Sequence, residues 1–567
     1  MRDEGRPQLT GARRHAWDAL VDQADALSSV HLAELFERDS ERFSSLSREL
    51  GDFFVDFSKQ KITDETLQKL VALADASELS AWIEKLFGGA LINETEGRPA
   101  MHWALRAPYK DKILSHCSGG REHSSFNPDA VEEQLVRLQA IVEKIHAGQW
   151  RGCTGEVITD VVNVGVGGSD LGPLMACRAL EDARLQDGRR IDIHFVSTVD
   201  GSQLSHLLNV LNPHQTLFVV SSKSFATVDT LYNATTAKGW LSRHLGDQRS
   251  VMQCHFLGVS ADVNRMTEWG IFPENQLLLW PWVGGRYSVW STIGLPLALI
   301  LGGEGFRRFL AGAHEMDKHF HTTPWLENIP VLMALIGVWN NNFLGINAHA
   351  VLPYDGRLKY LPAYLSQLEM ESNGKSVTRS GEYVSYKTCP VVWGEVGPNA
   401  QHAFYQLLHQ GTPRVASDFI VSAHRYLGSE YAEEAQELGR QHELALANCL
   451  AQSRLLALGE HALPSSTDRP MHSRCQGGQP STTFLLDELN PHTLGKLLAA
   501  YEHKVFVQAV LWDINPFDQW GVEMGKAIAT ETLALLQDGG KWSDKGADGV
   551  SETDSSTVGL IGKIRGE

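Results

Sequence analysis

Apolar residues recur at spacings of three and four over the first part of the chain. The clearest runs are 17–36 (WDALVDQADALSSVHLAELF) and 65–87 (ETLQKLVALADASELSAWIEKLF). This spacing places apolar side chains on one face of a helix, where they pack against a core. Residues 1–125 are therefore predicted to be mostly helical.

From about residue 155 the pattern changes to short, continuous apolar runs that alternate with helical segments. The predicted strands are 160–166, 191–197, 216–220, 251–259, 348–354, 389–394, 416–423 and 482–489, with a long apolar helix at 325–344 between the two sets. Such alternation indicates parallel sheets that are covered by helices on both faces. The predicted fold class is α/β, with two doubly wound parallel sheets in αβα sandwiches and helical extensions at both ends.

These patterns divide the chain into four predicted regions. They are a helical segment at 1–125 that packs on the second α/β domain, a first α/β domain at 126–305, a second at 306–537 that ends in helices, and a C-terminal arm at 538–567. The tail at 538–556 is rich in small and charged residues, which is typical of a surface arm or of partial disorder.

Composition narrows the class of protein. Of the 567 residues, 43% are hydrophobic and 21% are charged, as is ordinary for a soluble globular protein. The N-terminus has no apolar stretch typical of a signal peptide, and the most apolar run, 293–301, is too short to span a bilayer. The seven scattered cysteines include no CxxC pair, which favours reduced thiols in a cytoplasmic protein and disfavours a zinc ribbon.

The net charge of −18 disfavours nucleic acid as a partner, because phosphate backbones require a basic surface. No membrane partner, cofactor or metal is predicted. An anionic substrate would need local cations, because salt screens charges that lie more than about 8 Å apart.

One predicted loop combines a cation with several hydroxyl groups. A predicted buried strand at 217–220 is followed by hydroxyl residues around a lysine, namely Ser221, Ser222, Lys223, Ser224 and Thr227, and then by a helical pattern. A helix N-terminus offers unpaired N–H groups, so these residues predict a cup for a dianion such as a phosphate monoester. The alternative is a Ser/Thr-rich capping loop without a ligand.

A glycine-rich turn follows the first predicted strand at 164–173 (VGVGGSDLGP). A dinucleotide fingerprint would need a third glycine where Asp170 stands, and a phosphate P-loop would need Gly-Lys where Gly172 and Pro173 stand. Both are therefore discounted. A turn that lets the backbone of Gly168 approach a ligand, with Ser169 at the helix start, is one reading, and tight packing without a ligand is the other.

Arg286 follows two glycines in the segment 280–295, with Ser288 as a possible N-cap for a following helix. This open turn leaves the guanidinium available for an anion or an oxyanion. A surface salt bridge is the alternative.

A carboxylate and an amide are paired at the end of a predicted helix. Gln367 and Glu371 are four residues apart and so lie on one face, which suits a general base beside a second substrate contact. Glu369 is expected to face solvent. A structural role for Glu371 is the alternative.

Two further stretches carry candidate acid–base groups. His402 is expected at the start of a helix, where burial would lower its pKa and favour the neutral form, although a capping or core histidine is the commoner role of an isolated histidine. Gln519 and Lys526 are seven apart, which places them two turns apart on one helix face, while an exposed pair between Lys526 and Glu523 is the alternative.

Together these stretches resemble a known family. The segments VGGSDLGP, SSKSFAT, VGGRYS, QLEMESNGK, QHAFYQLLHQGT and FDQWGVEMGK occur in the order of the glucose-6-phosphate isomerase family, and the similarity extends from about residue 30 to 562. The resemblance implies two sugar-isomerase-type domains and an aldose–ketose isomerase that interconverts glucose 6-phosphate and fructose 6-phosphate through an enediolate. It also implies a role in glycolysis and gluconeogenesis, independence from metals, and a homodimer with sites near the subunit interface.

The resemblance also assigns roles to individual residues. It assigns the phosphate to Ser222, Lys223, Ser224 and Thr227, the sugar to Gly168, Ser169, Gln367 and Gln519, the base to Glu371, ring opening to His402 and Lys526, the enediolate contact to Arg286, and supporting roles to Asp229 and Gly285.

Several positions depart from the family pattern. Ser224 and Ala226 replace threonines, Asp229 stands where a longer glutamate is expected, and Pro281 stands where an aspartate is common. Two other functions are left open, which are a non-catalytic sugar-phosphate-binding module on the same scaffold and an isomerase that prefers another phosphosugar, such as mannose 6-phosphate.

Overall fold

A computed structural model describes residues 11–111, 126–186, 188–426, 433–463, 470–538 and 554–566. The backbone forms two compact units, Met1–Phe517 and Asp518–Glu567. The domain boundaries predicted from the sequence at 125, 305 and 537 stay predictions.

Strands and helices alternate through most of the first unit. Its strands are β1 (Ser47–Leu50), β2 (Phe53–Asp56), β3 (Asp160–Gly165), β4 (Asp192–Val196), β5 (Thr216–Ser221), β6 (Phe256–Ser260), β7 (Gln276–Leu278), β8 (Ala348–Pro353), β9 (Val391–Gly394), β10 (Ala416–His424) and β11 (Ser481–Glu488). Its helices are α1 (Gly11–Leu27), α2 (Leu32–Arg38), α3 (Arg42–Ser45), α4 (Asp64–Ala76), α5 (Leu79–Phe87), α6 (Pro128–His146), α7 (Leu171–Ala179), α8 (Ser202–Val210), α9 (Val228–Leu245), α10 (Gln248–His255), α11 (Val263–Trp269), α12 (Leu295–Thr322), α13 (Ile329–Val338), α14 (Leu361–Asn373), α15 (Gly397–Ala403), α16 (Tyr405–Gln410), α17 (Ala435–Leu458) and α18 (Pro491–Trp512).

In the described part of the chain these strands form two sheets, which confirms the predicted α/β class. The five-stranded sheet is parallel throughout, in the order β4-β3-β5-β6-β7. The six-stranded sheet has the order β1-β2-β11-β10-β8-β9, in which β11, β10, β8 and β9 are parallel. Strand β5 is buried along its whole length, as expected for a central strand of a covered parallel sheet.

Part of the predicted helical N-terminal region is instead a β-hairpin. Strands β1 and β2 pair with each other, and β2 pairs with β11, in both cases antiparallel, so they form an edge of the six-stranded sheet. The short alternation in SRELGDFFVD is too brief to stand out beside the long helical periods. Its pairing partner β11 lies more than four hundred residues away in the sequence, which a local pattern cannot reveal.

Two other predicted elements are wrong in extent. Residues 248–255 form α10, so the strand predicted at 251–259 begins only at Phe256. The helix predicted at 325–344 is α13, which continues as a π-helical turn at Trp339–Phe343.

Helix α18 is the structural centre of the first unit. It is buried along nearly its whole length and packs on α12, α13 and α14. It carries Glu502, His503 and Lys504 into this apolar surrounding, where charged groups require partners.

The second unit contains α19 (Glu523–Asp538) and α20 (Ser555–Ile564). Helix α20 begins at Asp554, whose side chain accepts a hydrogen bond from the backbone N–H of Thr557. Most of the tail predicted as a surface arm, 538–556, lies outside the described residues.

Within the described ranges, none of the helices is both long and apolar enough to cross a bilayer. Six of the seven cysteines lie in these ranges and carry free thiols. Among the same residues no group of three or more His, Cys, Asp or Glu side chains is arranged to hold a metal ion.

Candidate active site

The hydroxyl-rich loop follows β5 and leads into α9, as predicted. Ser222 is buried, and its hydroxyl lies 3.1 Å from that of Thr227. Thr227 occupies the N-cap position of α9 without a side-chain capping bond, so the first N–H groups of the helix are not satisfied by a cap. We refer to residues 222–227 as the cup.

Phe225 gives the cup its curvature. Its φ angle is +47°, a conformation that bulky side chains rarely adopt, and its ring is buried against Trp269. This packing compensates for the strained backbone and fixes the turn between Ser222 and Thr227. Strain held by packing is common where a loop must present groups to a ligand.

Lys223 is held in place by a backbone carbonyl. Its Nζ atom donates to the carbonyl oxygen of Pro281 at 2.8 Å. Burial, together with the charge of Arg98, lowers the pKa of Lys223 to about 8. The carboxylate of Glu96 raises this pKa but does not restore its ordinary value.

The sequence assigned no role to the segment that contains Arg98. Asn93 and Arg98 form a β-bridge, and Arg98 Nη1 lies 3.6 Å from a carboxylate oxygen of Glu96. Both charged residues act on the pKa of Lys223, so this short turn adjoins the cup. Only its clustered charges beside an aromatic run could have drawn attention to it.

The glycine turn after β3 packs directly on the turn that carries Arg286. A Cβ atom on Gly168 would lie 2.0 Å from the carbonyl oxygen of Gly285, so a side chain has no room there. Gly167 has a φ of +61°, and a Cβ atom on it would lie 3.1 Å from the amide nitrogen of Gln367. These glycines allow three backbone segments to meet.

Neighbouring residues on the glycine turn are buried. Ser169 is 9% exposed, and its carbonyl oxygen accepts a hydrogen bond from the Asn163 side chain. Burial raises the pKa of Asp170 to about 6. A buried carboxyl at this position agrees with the exclusion of a dinucleotide pyrophosphate.

Arg286 is buried, with 2% of its side chain exposed, so the surface salt bridge considered above is excluded. Its Nε atom donates to the hydroxyl of Ser372 at 2.6 Å, and Nη2 donates to the carbonyl oxygen of Pro516. Its Nη1 atom lies 3.3 Å from Glu371 Oε2. Ser288 ends the short 3₁₀ turn at Gly285–Tyr287 and is not the N-cap of a helix.

Glu371 lies in the last turn of α14, and 25% of its side chain is exposed. Gln367, one turn earlier, donates to Glu371 Oε2 at 3.2 Å, which confirms that the two share one face. The amide oxygen of Gln367 is buried without a hydrogen-bond partner among the described residues. The same carboxylate oxygen thus contacts Arg286 and Gln367.

Glu369 does not face solvent, so that expectation is wrong. It is 2% exposed and accepts a hydrogen bond from Lys504 at 2.8 Å. The physical reason is α18, which places a buried lysine opposite this side of α14 and so requires a carboxylate there.

Ser372 is a site residue that the sequence did not single out. Besides the Arg286 contact, its hydroxyl lies 2.9 Å from that of Tyr287. Both residues are fully buried, and burial is the main cause that raises the pKa of the Tyr287 phenol. Lys375 completes the end of α14 by donating to the carbonyl oxygens of Glu371 and Ser372.

His402 lies in the last turn of α15, not at its start, and it is exposed. Helix α15 begins earlier because Gly397 and Pro398 occupy its first positions, and proline fits the first turn of a helix. The side chain of His402 makes no hydrogen bond or ion pair within the described ranges. Asp229 is half-buried in the first turn of α9.

Gln519 and Lys526 lie in the second unit and do not share one helix. Gln519 precedes a 3₁₀ turn at Trp520–Val522, and Lys526 lies in α19. Lys526 Nζ contacts Glu523 at 2.7 Å, which is the ion pair considered as the alternative. Helix α19 begins only at Glu523, after this 3₁₀ turn, so Gln519 lies outside the helix.

The first unit therefore brings together a cationic cup, a glycine turn, and a buried arginine beside a half-open carboxylate. Three direct contacts link these parts of the site. They join Lys223 to Pro281, Gly168 to Gly285, and Arg286 to Glu371. Such a set can bind a phosphate, abstract a proton and stabilise the resulting oxyanion.

Comparisons with known proteins agree with this chemistry. A family model described as phosphoglucose isomerase matches residues 56–561. The chain is 55% identical to glucose-6-phosphate isomerase of Acinetobacter venetianus over 566 residues, which covers 99% of each chain. It is 56% identical over 553 residues to glucose-6-phosphate isomerase 2 of Chromohalobacter salexigens, which covers 96% of each.

A solved structure shares the fold. The crystal structure of a glucose-6-phosphate isomerase from Chlamydia trachomatis matches with a TM-score of 0.80 and 30% sequence identity. The match covers 97% of this chain and 98% of the other.

Proposed function

The chain belongs to the phosphoglucose isomerase family, and on this premise we propose that it interconverts glucose 6-phosphate and fructose 6-phosphate. The observation that carries the proposal is the contact of 3.3 Å between buried Arg286 and half-open Glu371, in a site that also holds the Lys223 cup. A non-catalytic sugar-phosphate binder is not favoured, because it would need the cup alone.

The cup binds the phosphate of the substrate. Lys223 supplies positive charge, while Ser222, Ser224, Thr227 and the N–H groups at the start of α9 supply hydrogen bonds. Because the phosphate is remote from the reacting carbons, its binding energy orients the sugar between the cup and Glu371. Gly168, Ser169, Gln367 and Gln519 complete the contacts to the sugar, with Gly285 in support.

Glu371 transfers the proton between C2 and C1 of the open-chain sugar. Its exposed fraction leaves one side of the carboxylate available to substrate, and its single contact with Arg286 leaves Oε1 available. As the proton leaves C2, negative charge develops on the neighbouring oxygen, and the Arg286 guanidinium stabilises this enediolate. No redox cofactor takes part in this transfer.

Ring opening falls to His402 and Lys526, with Asp229 as a supporting group. The proposal includes a homodimer whose sites lie near the subunit interface, as the family resemblance implies, and the exposed position of His402 leaves its ring available to such an interface. The proposal also includes a cytoplasmic location, a role in glycolysis and gluconeogenesis, and independence from metals.

The test is an assay of the purified protein with fructose 6-phosphate in the presence of a chelator. We expect glucose 6-phosphate to form at an unchanged rate after chelation. In ²H₂O the product should carry solvent deuterium at the carbon that receives the proton, since a carboxylic acid exchanges its proton with water. Turnover that disappears with chelation, or no turnover at all, would contradict the proposal.

A further inference from the structure

A cavity of about 230 Å³ lies in the first unit and shares no lining residue with the site described above. Three segments, 28–32, 409–414 and 476–479, enclose it together with Lys61. They belong to the α1–α2 connection, the end of α16 and the approach to β11. We refer to this space as the rear cavity.

Lys61 contributes a buried cation to the rear cavity. Only 6% of the residue is exposed, and its ammonium donates to the carbonyl oxygen of Ser28 at 3.3 Å. No carboxylate within the described residues forms an ion pair with it. Since an ammonium has three donors and a buried charge normally has a partner, Lys61 has unused capacity to bind an anion.

Arg414 adds a second cation that is also unpaired. It lines the cavity, is exposed, and makes no hydrogen bond or ion pair within the described ranges. Burial, together with the charge of Arg414, lowers the pKa of Lys61. The two positive charges therefore lie close enough to repel each other.

Glu34, whose charge raises the pKa of Lys61, already has other hydrogen-bond partners. Glu34 accepts hydrogen bonds from the backbone N–H of His31 at 3.0 Å and from Arg38 at 2.8 Å. Its carboxylate thus caps α2 and pairs with a surface arginine. Glu34 therefore raises the pKa of Lys61 through its charge alone. Among the described residues, no carboxylate forms an ion pair with Lys61 or Arg414.

His409 indicates which anion the cavity would accept. Its Nε2 atom lies 2.8 Å from the Gln452 side-chain oxygen, while its Nδ1 atom is buried and has no hydrogen-bond partner in the described part of the chain. A ligand with acceptor oxygens for Lys61 and Arg414 and an O–H donor for this nitrogen would satisfy all three groups. Inorganic phosphate keeps an O–H group near neutral pH, and a small monoester such as glycerol phosphate can supply one from its alcohol part, whereas sulfate carries only acceptors.

We propose that the rear cavity is a second anion site, which binds phosphate, either free or as the terminal group of a small monoester, independently of the cup at 222–227. Its volume lies below the roughly 300–1,000 Å³ of pockets for drug-sized ligands, which disfavours a nucleotide. Because His409 lies on α16, directly after the helix that carries His402, bound phosphate would stabilise this part of the fold.

The test measures phosphate binding by calorimetry in a Lys223→Ala background, in which the cup is disabled. We expect one saturable phosphate site per chain there, and two in the wild type. Adding Arg414→Gln or Lys61→Met should weaken the remaining site about tenfold each, because a charge-assisted contact is lost. Arg440→Gln removes an equal charge from exposed α17 and should leave binding unchanged.

Further ligands identify the source of the phosphate. Weaker binding of sulfate than of phosphate would support the role of His409, and tighter binding of glycerol phosphate than of free phosphate would assign the site to a monoester. Because Lys61→Met removes a buried unpaired charge, this variant should melt at a higher temperature than wild type when phosphate is absent. Saturable binding that Arg414→Gln leaves unchanged, or no saturable binding in the Lys223→Ala protein, would overturn the proposal.

Discussion

Arg106 and Arg286 each contact a carboxylate in the first unit, but the two pairs are built differently. Arg106 forms two parallel bonds with Asp317, at 2.8 and 2.7 Å, and gives its third donor to Glu502. Arg286 contacts Glu371 through one nitrogen at 3.3 Å. The Asp317 side chain is 3% exposed, whereas that of Glu371 is 25% exposed.

The carboxylate of Asp317 therefore has a structural role, whereas that of Glu371 is available for chemistry. Against the effect of burial, Arg106 and His503 hold the pKa of Asp317 below its ordinary value. Both of its oxygens are occupied, so it can neither rotate nor accept a substrate proton. Arg286, by contrast, is fixed by the neutral Ser372 hydroxyl and the Pro516 carbonyl, which leaves Glu371 only loosely held.

Replacement of Glu371, the partly exposed carboxylate, should give the largest change in activity. For Glu371→Gln we expect kcat to fall by roughly 10²–10⁴ or more, because an amide cannot act as the base. Affinity for a phosphate ligand should change little, since the cup is intact. A coupled assay and a calorimetric titration measure the two quantities.

Glu369→Gln is the matched control on the same helix. It leaves Lys504 buried without its partner, so we expect a loss of about 3–5 kcal/mol in the free energy of unfolding. Turnover per folded molecule should stay close to that of the wild type. Wild-type turnover in Glu371→Gln, or a matching loss in the Glu369→Gln protein, would remove the proposed base.

Truncation of the fully buried Arg106 should lower the free energy of unfolding more than any change at the Arg286–Glu371 pair. Arg106→Met leaves Asp317 and Glu502 buried without their partner, and we expect the free energy of unfolding to fall by about 3–5 kcal/mol. Denaturant titration measures this change.

Arg286→Met is the comparison for that variant. Because water can reach Glu371, the stability loss should be smaller, while kcat should fall by roughly 10²–10³ through the loss of oxyanion stabilisation. Equal stability losses in the Arg106→Met and Arg286→Met variants would show that the two pairs do not differ as described.

A third change probes how Arg286 is positioned. Ser372→Ala removes the neutral acceptor of Arg286 Nε, so we expect kcat to fall about tenfold, in line with the loss of one hydrogen bond to a charged group. KM should change little, because the cup is untouched. Tyr287→Phe removes the other partner of this hydroxyl, and it should have a smaller effect on kcat. A change in KM alone would contradict a positioning role.

The sequence predicted the parts of the molecule that depend on local pattern. Strands β3, β5, β8, β10 and β11 lie where continuous apolar runs placed them, within one or two residues. The helix after Thr227 and the shared face of Gln367 and Glu371 also follow from local spacing.

What could not be predicted depends on partners that are distant in the sequence. Glu369 was expected in solvent because nothing near it reveals Lys504, which lies 135 residues away. Arg98 reaches the cup through the fold, and Ser372 becomes a site residue only because Arg286 lies against it. The position of His402 was wrong because the helix start at Gly397 and Pro398 lies a full turn earlier than expected.

At neutral pH the smallest expected effect concerns the protonation of Lys223 in the cup, and it grows as the pH rises. The pKa of Lys223 is lowered to about 8, so its ammonium is present below that pH and is lost above it. A phosphate dianion prefers the ammonium, and its affinity should therefore be nearly full near pH 7, about twofold lower at pH 8, and about tenfold lower at pH 9. The measurement is the inhibition constant of a non-isomerisable phosphate monoester between pH 7 and 9.5.

The control is the Lys223→Arg variant. Its arginine keeps its charge throughout this range, so the inhibition constant of the variant should not change with pH. A wild-type constant that is equally flat would contradict a phosphate contact made by a Lys223 ammonium of lowered pKa, whereas Glu371 and Arg286 would retain their proposed roles.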